Sequence, residues 1–237
     1  MKLPFRGLRA LLAGAVSAAL ILTTPMALAA GMPYEDVAEG AWYEDAVEYC
    51  WSHEIMDGVS STSFAPSELM TRGVLAEALY RLADEPVVTL EGKDYDSGSE
   101  QVDEEDTPTA QYPFSDVDPD HPYADAILWA YQEGIIGGYD DGTFGPDRNM
   151  TRAEVAQMFY ALLNDQNVPA TVSFSDVPDG AWYADAVETL ASLGVVAGVG
   201  DGQFAPERTI TRAEFATMAM AFAHTAEGGE NVFTDVS

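Results

Sequence analysis

Cations are scarce in this chain: 10 Lys and Arg stand against 40 Asp and Glu, a formal charge of −30 over 237 residues. The shortage argues against nucleic acid as a partner, because phosphate backbones are held by cationic surfaces. Cysteine is scarcer still. Cys50 stands alone, so no intramolecular disulfide can form, and its place on an apolar helix face reads as a buried, inert thiol. Histidine is limited to His53, His121 and His224 in unrelated contexts, and no nucleophile, base and orienting group recur together, so the reading is not an enzyme and calls for no cofactor. Long apolar runs are missing too. Leu11 to Leu22 spans about a dozen residues, short of the roughly 20 that a membrane-crossing helix needs.

What surrounds that short run explains it. Lys2, Arg6 and Arg9 precede it and Ala27-Leu28-Ala29 follows, so residues 1–29 read as a secretory signal peptide whose removal leaves an exported chain without a membrane span. Of the seven cations that remain, Arg72, Arg148, Arg152, Arg208 and Arg212 lie in or just before one recurring Thr-Arg motif. Such placement in so acidic a protein points to a positional role, either pairing with local carboxylates or meeting an anionic ligand.

The motif belongs to a segment written three times. Each copy opens on aromatic-x-Asp-Val (Tyr34 to Val37, Phe114 to Val117, Phe174 to Val177) and reaches Thr-Arg 35 residues after its Asp. Between them, counted from the Asp, fall a Tyr at +7, a Gly at +22 (Gly58, Gly138, Gly198), a Phe at +28 (Phe64, Phe144, Phe204) and a Pro at +30. Ungapped repetition of this kind decides the architecture before any local argument does.

Within the second copy, Tyr123, Ala126, Ile127, Ala130 and Tyr131 recur at helical spacing up to a stop at Gly134. Ile135 to Pro146 is too rich in Gly and Asp for a helix and reads as an ordered loop with Ile, Tyr and Phe turned inward. Thr151 then opens a second helix carrying the stripe Val155, Met158, Phe159, Leu162 and Leu163. A unit of helix, loop and helix cannot bury both stripes alone, so three are expected to pack into one mainly α, pseudo-symmetric body with little strand. The expected divisions are 34–83, 114–163 and 174–223 for the repeats, with an acidic, flexible insertion at 84–113. Residues 224–237 form a C-terminal tail in which Phe233-Thr234-Asp235-Val236 restarts the motif and is offered as a fourth docking segment.

Thr151-Arg152-Ala153-Glu154 and Thr211-Arg212-Ala213-Glu214 read first as capping boxes, with Thr at the N-cap and Glu reaching back. Capping does not explain the Arg, which at the first helical position faces the positive end of the helix dipole. Free amides and a guanidinium together favour a carboxylate or phosphate, although pairing with nearby acids stands as the other reading. Trp42-Tyr43 and Trp182-Tyr183 offer flat apolar faces for a sugar ring, or else are core residues between repeats. Asp140-Asp141-Gly142 and Asp201-Gly202 are oxygen-rich but lack the ligand spacing of a calcium loop and read as turns.

These residues resemble the S-layer homology (SLH) family of bacterial cell-surface modules, through Phe-x-Asp-Val, Trp-Tyr-x-Asp-Ala, Gly138-Tyr139-Asp140-Asp141-Gly142-Thr143-Phe144 and Thr-Arg-Ala-Glu. The resemblance implies three tandem SLH repeats packed as a pseudo-threefold helical spindle, secreted to the cell surface. It implies non-covalent binding of an anionic cell-wall polysaccharide, a secondary polymer carrying pyruvylated aminosugar, in grooves between repeats. The family's ligand arginine falls on Arg72, Arg152 and Arg212, its acidic partner on Glu154 and Glu214, with Thr151, Thr211, Trp42 and Trp182 beside them. Copy one departs at Thr71-Arg72-Gly73-Val74 and copy two at Pro122, so the site of copy three, with Trp182 and the full Thr211 to Glu214 motif, is the first expected to work. The alternative is an assembly or adaptor subunit that binds another surface-layer protein.

Overall fold

The computed structural model describes residues 31–88, 112–163 and 168–226. The expected signal peptide, most of the expected insertion and the tail motif at Phe233 to Val236 lie outside the described residues. Six helices are present: α1 Glu44–Ser52, α2 Arg72–Leu82, α3 Ala124–Gln132, α4 Arg152–Leu162, α5 Ala184–Ser192 and α6 Arg212–Ala226. Among the described residues the only β pairing is a set of isolated bridges. The chain is therefore mainly α, two helices to a repeat. α6 runs three residues into the stretch read as tail.

Each helix finds its main partner in a different repeat. α1 packs on α6, α2 on α3 and α4 on α5. A repeat is thus open, and its two apolar stripes are closed only by the repeats before and after it; α6 against α1 closes the ring. At the centre the residue before each Thr-Arg donates its amide to the carbonyl of another repeat. Met70 N–H reaches Ile210 O (3.0 Å), Ile210 N–H reaches Met150 O (3.0 Å) and Met150 N–H reaches Met70 O (2.9 Å). These three side chains are fully buried.

The loop between the helices is built from the repeated residues. The opening aromatic lies on the +22 glycine, where a methyl group would stand 2.4 Å from Tyr34, 2.3 Å from Phe114 and 2.9 Å from Phe174. Only glycine leaves room for that ring. It also packs on the buried +28 phenylalanine, with centroids 5.6 Å apart for Tyr34 and Phe64, 5.2 Å for Phe114 and Phe144 and 5.5 Å for Phe174 and Phe204. The Asp two residues after the aromatic clamps the turn: Asp116 accepts from the amides of Phe144 and Gly145 (both 2.7 Å), and Asp36 and Asp176 do the same in their repeats. Asp141 accepts from the amide and hydroxyl of Thr143, a turn-forming use of that acid.

Candidate functional site at the repeat junctions

The Thr-Arg motif lies where one repeat meets the next, because its helix begins against the loop of its successor. Thr151 and Thr211 accept from the amides of Glu154 and Glu214, whose carboxylates return to the Thr amides, so both capping boxes form. Thr71 keeps only a long 3.5 Å bond from Val74 N–H. Gly73 stands where the other repeats have Ala153 and Ala213, and a methyl group there would come within 2.5 Å of the Tyr123 ring. Gly73, the departure in copy one, thus packs on Tyr123, the residue that follows Pro122, the departure in copy two.

The three arginines make equivalent contacts in rotation. Arg72 donates from Nε to Phe144 O (2.9 Å) and from Nη2 to Gly137 O (2.7 Å) of repeat two. Arg152 reaches Phe204 O (2.8 Å) and Ala197 O (2.6 Å) of repeat three. Arg212 reaches Phe64 O (2.8 Å) and Asp57 O (2.6 Å) of repeat one. Each guanidinium also lies over the phenylalanine ring whose carbonyl it bonds, at 4.6, 4.4 and 4.6 Å in the same order. Their exposures are 5%, 4% and 6%. Their hydrogen bonds go to carbonyls of the next repeat, not to local carboxylates.

Burial of a cation without a matching anion is unfavourable. Burial pushes Arg152 down to about 10, with the Arg208 guanidinium adding to the shift and Glu214 and Asp176 opposing it. Arg72 is lowered by burial, with Tyr139 and Glu154 opposing and Arg148 adding. Arg212 is also lowered by burial, opposed first by Glu68.

The junctions therefore differ in what faces the buried arginine. The first, between repeats one and two, gathers Arg72, Arg148, Tyr139 and Glu154. The second gathers Arg152, Arg208 and Glu214. At the third, Arg212 meets Glu68, which stands where the others have Arg148 and Arg208; copy one has Val74 in place of the glutamate. Arg212 and Glu214, expected together in one site, diverge: the arginine turns into the loop of repeat one while the carboxylate holds Arg208 and lies within electrostatic reach of Arg152. The N1 and N3 side chains of one helix start serve two different grooves.

Trp42 and Trp182 are 66% and 62% exposed, each edge-on to the following Tyr at 5.2 Å, so neither is a core residue between repeats. Arg148, Arg208 and Tyr139 were missed as site residues. The signal for the two arginines was available, since they belong to the clustered cations, but nothing in the spacing showed that they face the arginine of the preceding repeat. Cys50 is fully buried beside the Ala216 carbonyl, and burial raises its thiol to about 12, where it is inert.

Among the described residues no helix is long and apolar enough to cross a membrane. The sequence model of the S-layer homology domain matches residues 33–73, 113–156 and 173–216, more than half of the chain, and each match begins within one residue of a repeat opening. Similar proteins include cell surface glycoprotein 1 of Acetivibrio thermocellus, 44% identical over 98 residues, 40% of this chain and 4% of that protein. The cellulosome-anchoring protein of the same organism is 38% identical over 92 residues, 37% of this chain and 21% of that protein. An amylopullulanase of Thermoanaerobacterium thermosulfurigenes is 29% identical over 191 residues, 78% of this chain and 9% of that enzyme. The chain thus spans about a fifth or less of the length of these relatives. With three matched segments, the helical ring that they form and surface proteins among its relatives, the chain belongs to the S-layer homology domain family and is a protein of the cell surface, associated with the cell wall.

Proposed function

We propose that this chain is a non-catalytic wall-binding protein that holds an anionic cell-wall polysaccharide, a secondary polymer with pyruvyl-ketal aminosugar, in the grooves between its repeats. The observation that carries this reading is the row of buried guanidiniums at the junctions, two of them facing a second arginine. In a chain with four times as many acids as bases, Arg72 faces Arg148 and Arg152 faces Arg208, both pairs at the junctions. A ligand carboxylate would offset the charge that burial leaves short of a partner. The exposed faces of Trp42 and Trp182 add apolar surface of the size of a sugar ring. Thr151 and Thr211 serve the grooves indirectly, by fixing the helix starts from which Arg152 and Arg212 project.

The testing experiment is sedimentation of the protein with purified walls of its own source, before and after mild acid removal of the non-peptidoglycan polymer. Binding that is lost with the polymer supports the reading. Absence of binding to intact walls overturns it and favours an assembly or adaptor subunit. That alternative has its own observation, the exposed Val59 and Leu69 on repeat one, and predicts concentration-dependent association without wall material.

A further inference from the structure

The three junctions are chemical variants of one site within a single chain, and comparing them separates what each side chain contributes. At the second junction Arg208 is closed onto Glu214, with Nη2 to Oε1 at 2.5 Å and Nη1 to Oε2 at 3.3 Å. That pair is bidentate, so a ligand carboxylate at Arg208 must share its guanidinium with Glu214 and meets the like charge of that carboxylate. At the first junction the same residue types are arranged differently. Arg148 approaches Glu154 only to 4.0 Å, and its guanidinium lies over the Tyr139 ring at 4.9 Å. Arg72 lies over the same ring, also at 4.9 Å.

Two guanidiniums thus lie over the Tyr139 ring. Its hydroxyl is buried and has no hydrogen-bond partner, so stacking and packing against Gly145, rather than a hydroxyl bond, place the ring. Repeats one and three have Val59 and Val199 at this position, and neither can draw an arginine away from its carboxylate. Arg148 is 55% exposed, against 42% for Arg208. At the third junction Glu68 replaces the cation and presents like charge to an anion.

We infer that the groove between repeats one and two is the primary carboxylate-binding site of this protein, that Arg148 is the residue that grips the ligand there, and that Tyr139 is a positioning residue holding Arg148 off Glu154. The second groove binds more weakly because Glu214 already shares the Arg208 guanidinium and presents like charge to a ligand carboxylate, and the third does not bind. This inference rests on the wall-binding reading, whose site it specifies.

The test is calorimetric titration of the full chain with the methyl glycoside of a pyruvyl-ketal N-acetylhexosamine, with the same sugar lacking the ketal as control, alongside sedimentation with walls. Arg148→Ala is expected to weaken the tightest binding event about tenfold, the loss of one charge-assisted contact. Tyr139→Val, the residue tolerated in both other repeats, is expected to weaken it to a similar degree, and Tyr139→Phe, which keeps the ring, to retain it. Arg208→Ala is expected to leave the tightest event unchanged. If Arg148→Ala binds like the parent, if Val and Phe at Tyr139 behave alike, or if Arg208→Ala abolishes the tightest event, the assignment is wrong while wall binding stands. Sedimentation with walls but no heat from the ketal sugar overturns the inference and the pyruvyl-ketal identity of the ligand while wall binding stands; failure to sediment overturns the wall-binding reading as well.

Discussion

Asp116 holds two backbone amides on one carboxylate, and it is the residue on which the loop beneath Arg72 depends. Asp116→Asn keeps the shape but presents an NH2 group to a donor, leaving the part-buried amide of Phe144 or the more exposed one of Gly145 poorly matched. The expected loss is about 1–3 kcal/mol, seen as a lower urea midpoint at unchanged slope. That an Asp recurs at this place is plain in the sequence; that it clamps amides 28 and 29 residues later is not, because hydrogen bonds across such a gap leave no local pattern. Gly73 is a second case. It reads as a lapse in the Thr-Arg-Ala-Glu motif, yet the ring of Tyr123 occupies the space of the missing methyl. Gly73→Ala is expected to destabilise by about 1–3 kcal/mol through overpacking, measured by thermal unfolding, and combination with Tyr123→Ala is expected to remove most of that penalty.

Among the elements, the second helices were legible from both ends. Thr-x-x-Glu marks the start of α4 and α6, and the apolar stripe is buried from Val155 to Leu162 as its spacing predicts, whereas Leu163, read as its last member, is the extended C-cap and only half-buried. The capping box also orders the mutants. Thr151→Ala removes an acceptor that works reciprocally with Glu154 and is expected to cost about 1 kcal/mol, whereas Thr71→Ala, losing only a 3.5 Å bond, is expected to cost a few tenths, both read from chemical denaturation. What the stripes did not disclose was their partner. An amphipathic helix states that one face must be covered, and any complementary stripe satisfies it; the pairing of α2 with α3 rather than with α1 is decided by the loop, which carries each repeat onward to the next.

At the scale of the molecule, closure of the ring makes the repeats interdependent. α1 is covered by α6, so a chain ending before Thr211 leaves Val47 and Cys50 facing water, and such a truncation is expected to lose cooperative unfolding in circular dichroism. The response to pH follows from carboxylates held below their usual values. Burial alone would raise Asp36, but bonds from the Phe64 amide, the Ser63 hydroxyl and the Ala65 amide outweigh it. For Glu214 burial likewise raises, and the Arg208 guanidinium and the Thr211 amide outweigh it. A carboxyl depressed in the folded state adds stability that is present above its unfolded value, about 4, and lost as pH falls through the folded one. The urea midpoint is therefore expected to hold from neutral pH to about 5 and fall below about 4, with a shallower acid limb in Asp36→Asn.

The sequence by itself determined the repeat, its helix-loop-helix content, the capping boxes and the family, because ungapped offsets and apolar periods are local properties that a linear reading can count. Only the tertiary structure decided which arginine faces which acid. It carried Arg212 into the loop of repeat one, returned Glu214 to Arg208 and stacked Arg72 and Arg148 on Tyr139, because a helix start projects its first and third side chains into different grooves. Sequence order places those residues in one motif. The closed ring divides them between two sites.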